Sequence, residues 1–208
     1  MILKKLFHLI LCLYMVNCAS IYLLRHGEKD INDKENVNLS LRGEVRSQAL
    51  SRVFFPAFSE SPFHIDGVIA MTPIGSHPSK RALQTASLIA SAGNLSVIEF
   101  SRDQEDLVVA EATRFSDAGK NIIIVWNHFS LPSIAYKLLR IPHSVGGGLV
   151  WENNMYDRIW EVNTTSGEVV EICQRLLFGD SDCYSNIILK TPQHGYQPRE
   201  TSDYLLAY

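Results

Sequence analysis

Four side chains of this sequence have the types and spacing to act on a phosphoryl group: Arg25 and His26, adjacent to each other, then Arg81, then His128. A neutral imidazole can attack phosphorus and carry the group as a phosphohistidine, dividing one difficult displacement into two easier ones. The transferring group spreads negative charge over its equatorial oxygens, which planar guanidinium forks bind bidentately. A second histidine can donate to the same oxygens, and a carboxylic acid can protonate the leaving oxygen. Singly, each residue has a plainer reading. Arg25-His26 reads as a basic loop, Arg81 as a solvated helix residue and His128 as a hydrogen-bonded loop histidine, with Asn127 and Ser130 as turn and cap residues. A mononuclear metal site on His26 and His128 is a competing reading, but no clustered carboxylate or cysteine ligands support it.

The elements that must position these groups alternate between strand and helix. Residues 20–24 form a short apolar, partly β-branched run that reads as a buried strand ending at Arg25-His26, where Gly27 lets the backbone approach a ligand. Ser40 signals a helix N-terminus, with Leu41, Val45, Ala49 and Val53 as its expected apolar face. A second strand is expected over 67–71, then a loop rich in Pro, Gly and Ser, then a helix capped by Ser79 with Leu83, Ala86 and Ala90 inward. A short strand over 96–99 precedes a helix over 103–117 with Val108, Ala112 and Phe115 inward. The most apolar strand, 121–126, carries Ile122, Ile123 and Ile124 and leads to a helix over 132–139. This order predicts right-handed βαβ units and an α/β class: a three-layer α/β/α sandwich with a mainly parallel sheet. Catalytic groups in such sheets gather outside the carboxyl ends of the strands, so Arg25, His26, Arg81 and His128 are expected to share one rim. After Pro142 the pattern changes. Gly146-Gly147-Gly148 reads as a hinge or lid, and 156–163 with 168–174 reads as a late antiparallel hairpin at the sheet edge.

Four ordered motifs carry a more specific message. They are Leu24-Arg25-His26-Gly27-Glu28-Lys29; Leu39-Ser40 with Gly43 and Ala49; Ser79-Lys80-Arg81 through Gln84-Thr85-Ala86; and Ile124-Val125-Trp126-Asn127-His128. Together they resemble the histidine phosphatase superfamily, the group that is phosphoglycerate-mutase-like or of histidine acid phosphatase type, over residues 20–139. The resemblance implies His26 as the phospho-accepting nucleophile, Arg25 and Arg81 as phosphate clamps, and His128 as the second catalytic histidine. It also implies Asn32 as a further phosphate contact, and chemistry that needs no metal or other cofactor. The general acid is where the pattern breaks. Mutase-like relatives carry a glutamate in an insert after the second strand-helix unit, and this sequence has a plain strand and helix there. The His-Asp pair of phytase-like relatives is absent too, because Phe129 follows His128. Glu28 is the candidate by proximity, with orientation of the Arg25-His26 loop as its competing role, and the acid stays unassigned. Without the insert the site should be open, which favours a phosphatase on a phosphorylated small molecule or phosphoprotein. A phosphotransferase or mutase of the same fold, and a catalytically weak phospho-ligand-binding protein, are the alternatives.

Bulk composition bounds the rest. The chain has 208 residues, 46% hydrophobic and 20% charged, with a net charge of −3, which suits one globular unit and gives no basic footprint for nucleic acid. Lys4 and Lys5 followed by an apolar stretch from Leu6 to Val16 and by Ala19 read as a secretory signal peptide over 1–19. A secreted or periplasmic location, with no membrane attachment beyond an uncleaved signal anchor, is the expectation. Residues 20–183 would form the phosphatase-like domain and 184–208 a polar C-terminal tail. Cys173 and Cys183 remain after the leader, and an oxidising compartment makes them a natural disulfide pair.

Overall fold

The continuous apolar runs read above become the middle of a seven-stranded sheet in order β3-β2-β4-β1-β5-β6-β7. The computed structural model describes residues 19–33, 35–57, 63–142, 148–181 and 186–190. Its strands are β1 (Ile21–Arg25), β2 (Gly67–Met71), β3 (Val97–Phe100), β4 (Ile122–Trp126), β5 (Arg158–Asn163), β6 (Glu168–Cys173) and β7 (Asn186–Lys190). Its helices are α1 (Leu41–Phe54), α2 (Arg81–Ala92), α3 (Glu105–Asp117) and α4 (Leu131–Leu138). The pairs β1–β4, β4–β2 and β2–β3 are parallel, and β1–β5, β5–β6 and β6–β7 are antiparallel. All five residues of β1, β2 and β4 are buried, as strands covered on both faces require.

The crossovers fix the layers. From β1 to β2 and from β2 to β3 the chain moves in one direction across the sheet, and from β3 to β4 it returns. Right-handed crossovers therefore put α1 and α2 on one face and α3 on the other. The helix contacts agree, since α1 packs on α2 and α3 packs on α4. The expected three-layer architecture with a mainly parallel core is the one observed, and the carboxyl ends of β1, β2, β3 and β4 form a common rim.

Four local expectations change. The inward face of α1 is Gly43, Arg46, Ser47, Leu50 and Phe54, whereas Leu41 is 78% exposed. A close backbone approach and the ion pairs of Arg46 turn this face inward, and they outweigh the four-residue apolar spacing. Ser40 caps α1 as expected, its hydroxyl accepting from the Gly43 N–H at 3.1 Å. Ser79 does not cap α2. Lys80 takes that position without a side-chain bond, and Arg81 is the first helical residue. The edge holds three antiparallel strands, because the apolar Ile187, Ile188 and Leu189 of the expected tail pair as β7 with β6. Finally, α3 buries Val108, Ala112 and Phe115 as expected but begins at Glu105.

The leader over 1–18, Gly146, Gly147, Cys183 and the end of the tail lie outside the described residues. Cys173 is disulfide-bonded. Among the described residues no helix is long and apolar enough to cross a membrane.

Candidate active site

His26 leaves β1 at the sheet edge and is 5% exposed. Its backbone N–H donates to the Trp126 carbonyl at 3.2 Å, which extends the β1–β4 ladder one residue past the strand. The ring is fixed from one side. Nδ1 lies 2.7 Å from the Gly27 carbonyl oxygen, and a carbonyl can only accept, so Nδ1 carries the proton and Nε2 keeps its lone pair. Burial pushes the imidazole down to about 3, with Arg25, Arg81 and His128 adding positive charge nearby. His26 is therefore neutral with a free Nε2 at any physiological pH.

The following residues explain why this turn is held so firmly. A Cβ on Gly27 would stand 2.6 Å from the Gly43 carbonyl oxygen, and one on Gly43 would stand 2.5 Å from the Glu28 carbonyl oxygen. Both positions need glycine for the two backbones to touch. The Gly27 N–H donates to Thr85 Oγ1 on α2 at 3.0 Å, and Ser47 of α1 donates to the same oxygen at 3.2 Å. The loop after β1 is thus pinned by both helices of one face.

Arg25 is 2% exposed and faces the segment before β5. One of its terminal nitrogens donates to the carbonyls of Glu152, Asn153 and Met155 at 3.3, 2.6 and 3.2 Å. The other donates to the Tyr156 hydroxyl at 3.1 Å, and the guanidinium carbon sits 3.8 Å from the centre of the Tyr156 ring. Asn153 Oδ1 takes Nε2 of His128, which leaves Nδ1 of that ring buried and without a partner. Burial, Arg25 and Lys29 lower the His128 pKa. Arg81 donates to the Asn36 carbonyl at 2.8 Å. Arg25 Nε, Arg81 Nε and the Ser79 hydroxyl are likewise buried without partners.

These groups converge. Arg25, His26, Arg81 and His128 line one cavity of about 240 Å³, as their placement at strand ends predicts. The same cavity is lined by Lys29, His77, Ser79 and Arg102, to which the sequence reading gave no role in the site. Arg102 follows β3 as His128 follows β4, so the strand-end rule could have found it. Asn153 and Tyr156 had no such signal, since they come from an irregular segment and act largely through packing and backbone. No carboxylate lines this cavity among the described residues.

Two expected site residues stand elsewhere. The Glu28 carboxylate turns away onto α1, where it accepts from Arg46 at 2.8 to 3.1 Å and from Arg42 at 3.0 Å. Arg46 also holds Asp180 at 2.6 and 2.9 Å, so Glu28 belongs to a buried ion cluster beside a second cavity of about 360 Å³. That placement corrects its candidacy as the acid, because the carboxylate faces α1 and does not line the His26 cavity. Asn32 is exposed, uses its backbone N–H on Asp30 at 2.9 Å and does not line the cavity.

No family model and no curated protein matches the chain. Solved structures do. The ecdysone phosphate phosphatase EPPase from Bombix mori, in complex with tungstate, is 14% identical, with 80% of this chain and 97% of that chain covered at a TM-score of 0.50. The protein histidine phosphatase SixA complexed with tungstate is 16% identical, with coverage of 81% and 93% at a TM-score of 0.45. The alpha-ribazole phosphatase from Shigella flexneri is 19% identical, with coverage of 59% and 81% at a TM-score of 0.39. At such identities the likeness concerns the fold alone, and the chain shares its fold with the structure of the ecdysone phosphate phosphatase.

Proposed function

We propose that the protein hydrolyses phosphate monoesters through a phosphohistidine at His26. One observation carries the reading: a buried, neutral imidazole keeps its Nε2 lone pair in a cavity lined by Arg25, Arg81 and His128. In the first step Nε2 attacks phosphorus, the bond to the ester oxygen breaks, and the leaving oxygen takes up a proton from solvent water. In the second, water attacks phosphorus and gives up a proton to solvent, the P–N bond breaks and inorganic phosphate departs. Arg25 and Arg81 supply fixed positive charge to the equatorial oxygens in both steps, and removing one such donor typically costs about 100-fold or more in rate. The unpartnered Nδ1 of His128 becomes a donor to a phosphoryl oxygen once that ring is protonated. The leader read over 1–19 supports action outside the cytoplasm on a phosphorylated small molecule or phosphoprotein.

The absence of a lining carboxylate among the described residues favours one second reading, a phospho-ligand-binding protein with weak catalysis. Single-turnover trapping with a 32P-labelled monoester separates the two. An acid-labile, base-stable adduct that vanishes in His26→Ala is expected, together with loss of turnover. Binding without an adduct supports the second reading, and substantial turnover by His26→Ala refutes the nucleophile.

A further inference from the structure

The cavity around His26 holds more positive charge than one phosphate needs. Arg25, Lys29, Arg81 and Arg102 all line it, and two of them suffice to face a phosphoryl dianion. Arg25 is the chain neighbour of His26, and Arg81 opens α2 on the wall of the same cavity. Lys29 and Arg102 form no ion pair within 4.0 Å among the described residues. Lys29 is near enough to His128 to depress it, and half-buried Arg102 enters from the loop after β3.

We propose that Lys29 and Arg102 form a second anion subsite beside the phosphoryl site, so that the substrate is a small phosphomonoester bearing a second anionic group. This rests on the phosphate reading above. Direction supports it. The neighbouring cavity shares Lys29 and Arg81 but is flanked by Asp30 and Asp33, which repel an anion on that side. The side of Arg102 presents no carboxylate among the described lining residues, so the second anion turns toward the β3–α3 loop. Size supports it as well. At about 240 Å³ the cavity lies below the usual range for ligand sites, about 300–1,000 Å³, and suits a short molecule over an extended one.

The test is calorimetric binding of three non-hydrolysable probes to the full chain: methylphosphonate, phosphonoacetate and methylenebisphosphonate. Either doubly anionic probe is expected to bind about tenfold or more tightly than methylphosphonate, in line with a hydrogen bond to a charged group. The better of the two identifies the second anion as carboxylate or phosphate. In Lys29→Gln/Arg102→Gln, checked for unchanged thermal unfolding, that advantage should collapse to less than about threefold. If methylphosphonate binds as well as the doubly anionic probes, or the advantage survives the double variant, the subsite is refuted while the His26 adduct can still form. If no probe binds and no adduct forms, the phosphate reading fails with it.

Discussion

The burial that keeps His26 neutral should be measurable as a pH dependence of stability. In the unfolded chain a histidine takes up its proton near 6.5, whereas in the folded protein His26 stays neutral down to about 3. Between those values the unfolded state binds one proton more, so folding stability is full above about 6.5 and declines as pH falls toward 3. A single proton gives a slope of about 1.4 kcal/mol per pH unit, so His26 alone should remove about 2 kcal/mol between pH 7.5 and pH 5. That is a readable share of a typical total of about 5–15 kcal/mol. Urea unfolding of the wild type and of His26→Asn at both pH values isolates the term, because other groups titrate equally in the two proteins. The wild type should lose about 2 kcal/mol more than the variant across this range. Equal losses would refute the assignment of a buried neutral ring, and with it the argument that Nε2 is free at every physiological pH.

Three further outcomes follow from the site geometry. Glu28→Gln should destabilise the protein by about 2 kcal/mol, through weakened hydrogen bonds to Arg46, while kcat stays within about threefold of wild type. A 100-fold loss of kcat at unchanged stability would return Glu28 to the chemistry. Gly43→Ala should destabilise by about 1–2 kcal/mol in chemical denaturation, since the contact 2.5 Å from the Glu28 oxygen outweighs the better helix propensity of alanine; a stabilised variant would show that the two backbones separate freely. Binding of sulfate, a non-titrating dianion, should be accompanied by proton uptake. The dianion raises a His128 pKa that burial, Arg25 and Lys29 hold below 6.5 in the free protein, and sulfate affinity should fall as pH rises past the bound value. Calorimetry in two buffers of different ionisation enthalpy measures this, and equal uptake by His128→Asn would refute it.

How far the site could be read in advance depended on where each residue gets its position. Arg25, His26, Arg81 and His128 follow their own parallel strands or open the next helix, so local pattern and the rim rule were enough to group them. Glu28 needed a contact that spacing does not carry, for its partner Arg46 is itself held by Asp180, 134 residues further along the chain. The same pair decided the inward face of α1, because a buried arginine defeats any apolar-stripe reading. β7 was missed because five strand residues sit in a segment whose average is polar. Asn153 and Tyr156 were missed for a different reason: most of what their segment offers to Arg25 is main-chain oxygen, which every residue type possesses.

That last property has a consequence for how the protein can change over generations. Carbonyls of Glu152, Asn153 and Met155 grip Arg25 whatever side chains stand above them, while Glu152, Asn154, Met155 and Tyr156 of the same segment wall the second cavity. Side-chain replacement at the exposed positions 152 and 154 can therefore drift and reshape the outer cavity without releasing the arginine. Adding or deleting a single residue would shift all three oxygens together. In this stretch length is held more tightly than composition, and alignments of variants should show substitutions at 152 and 154 but no gaps between Trp151 and Tyr156.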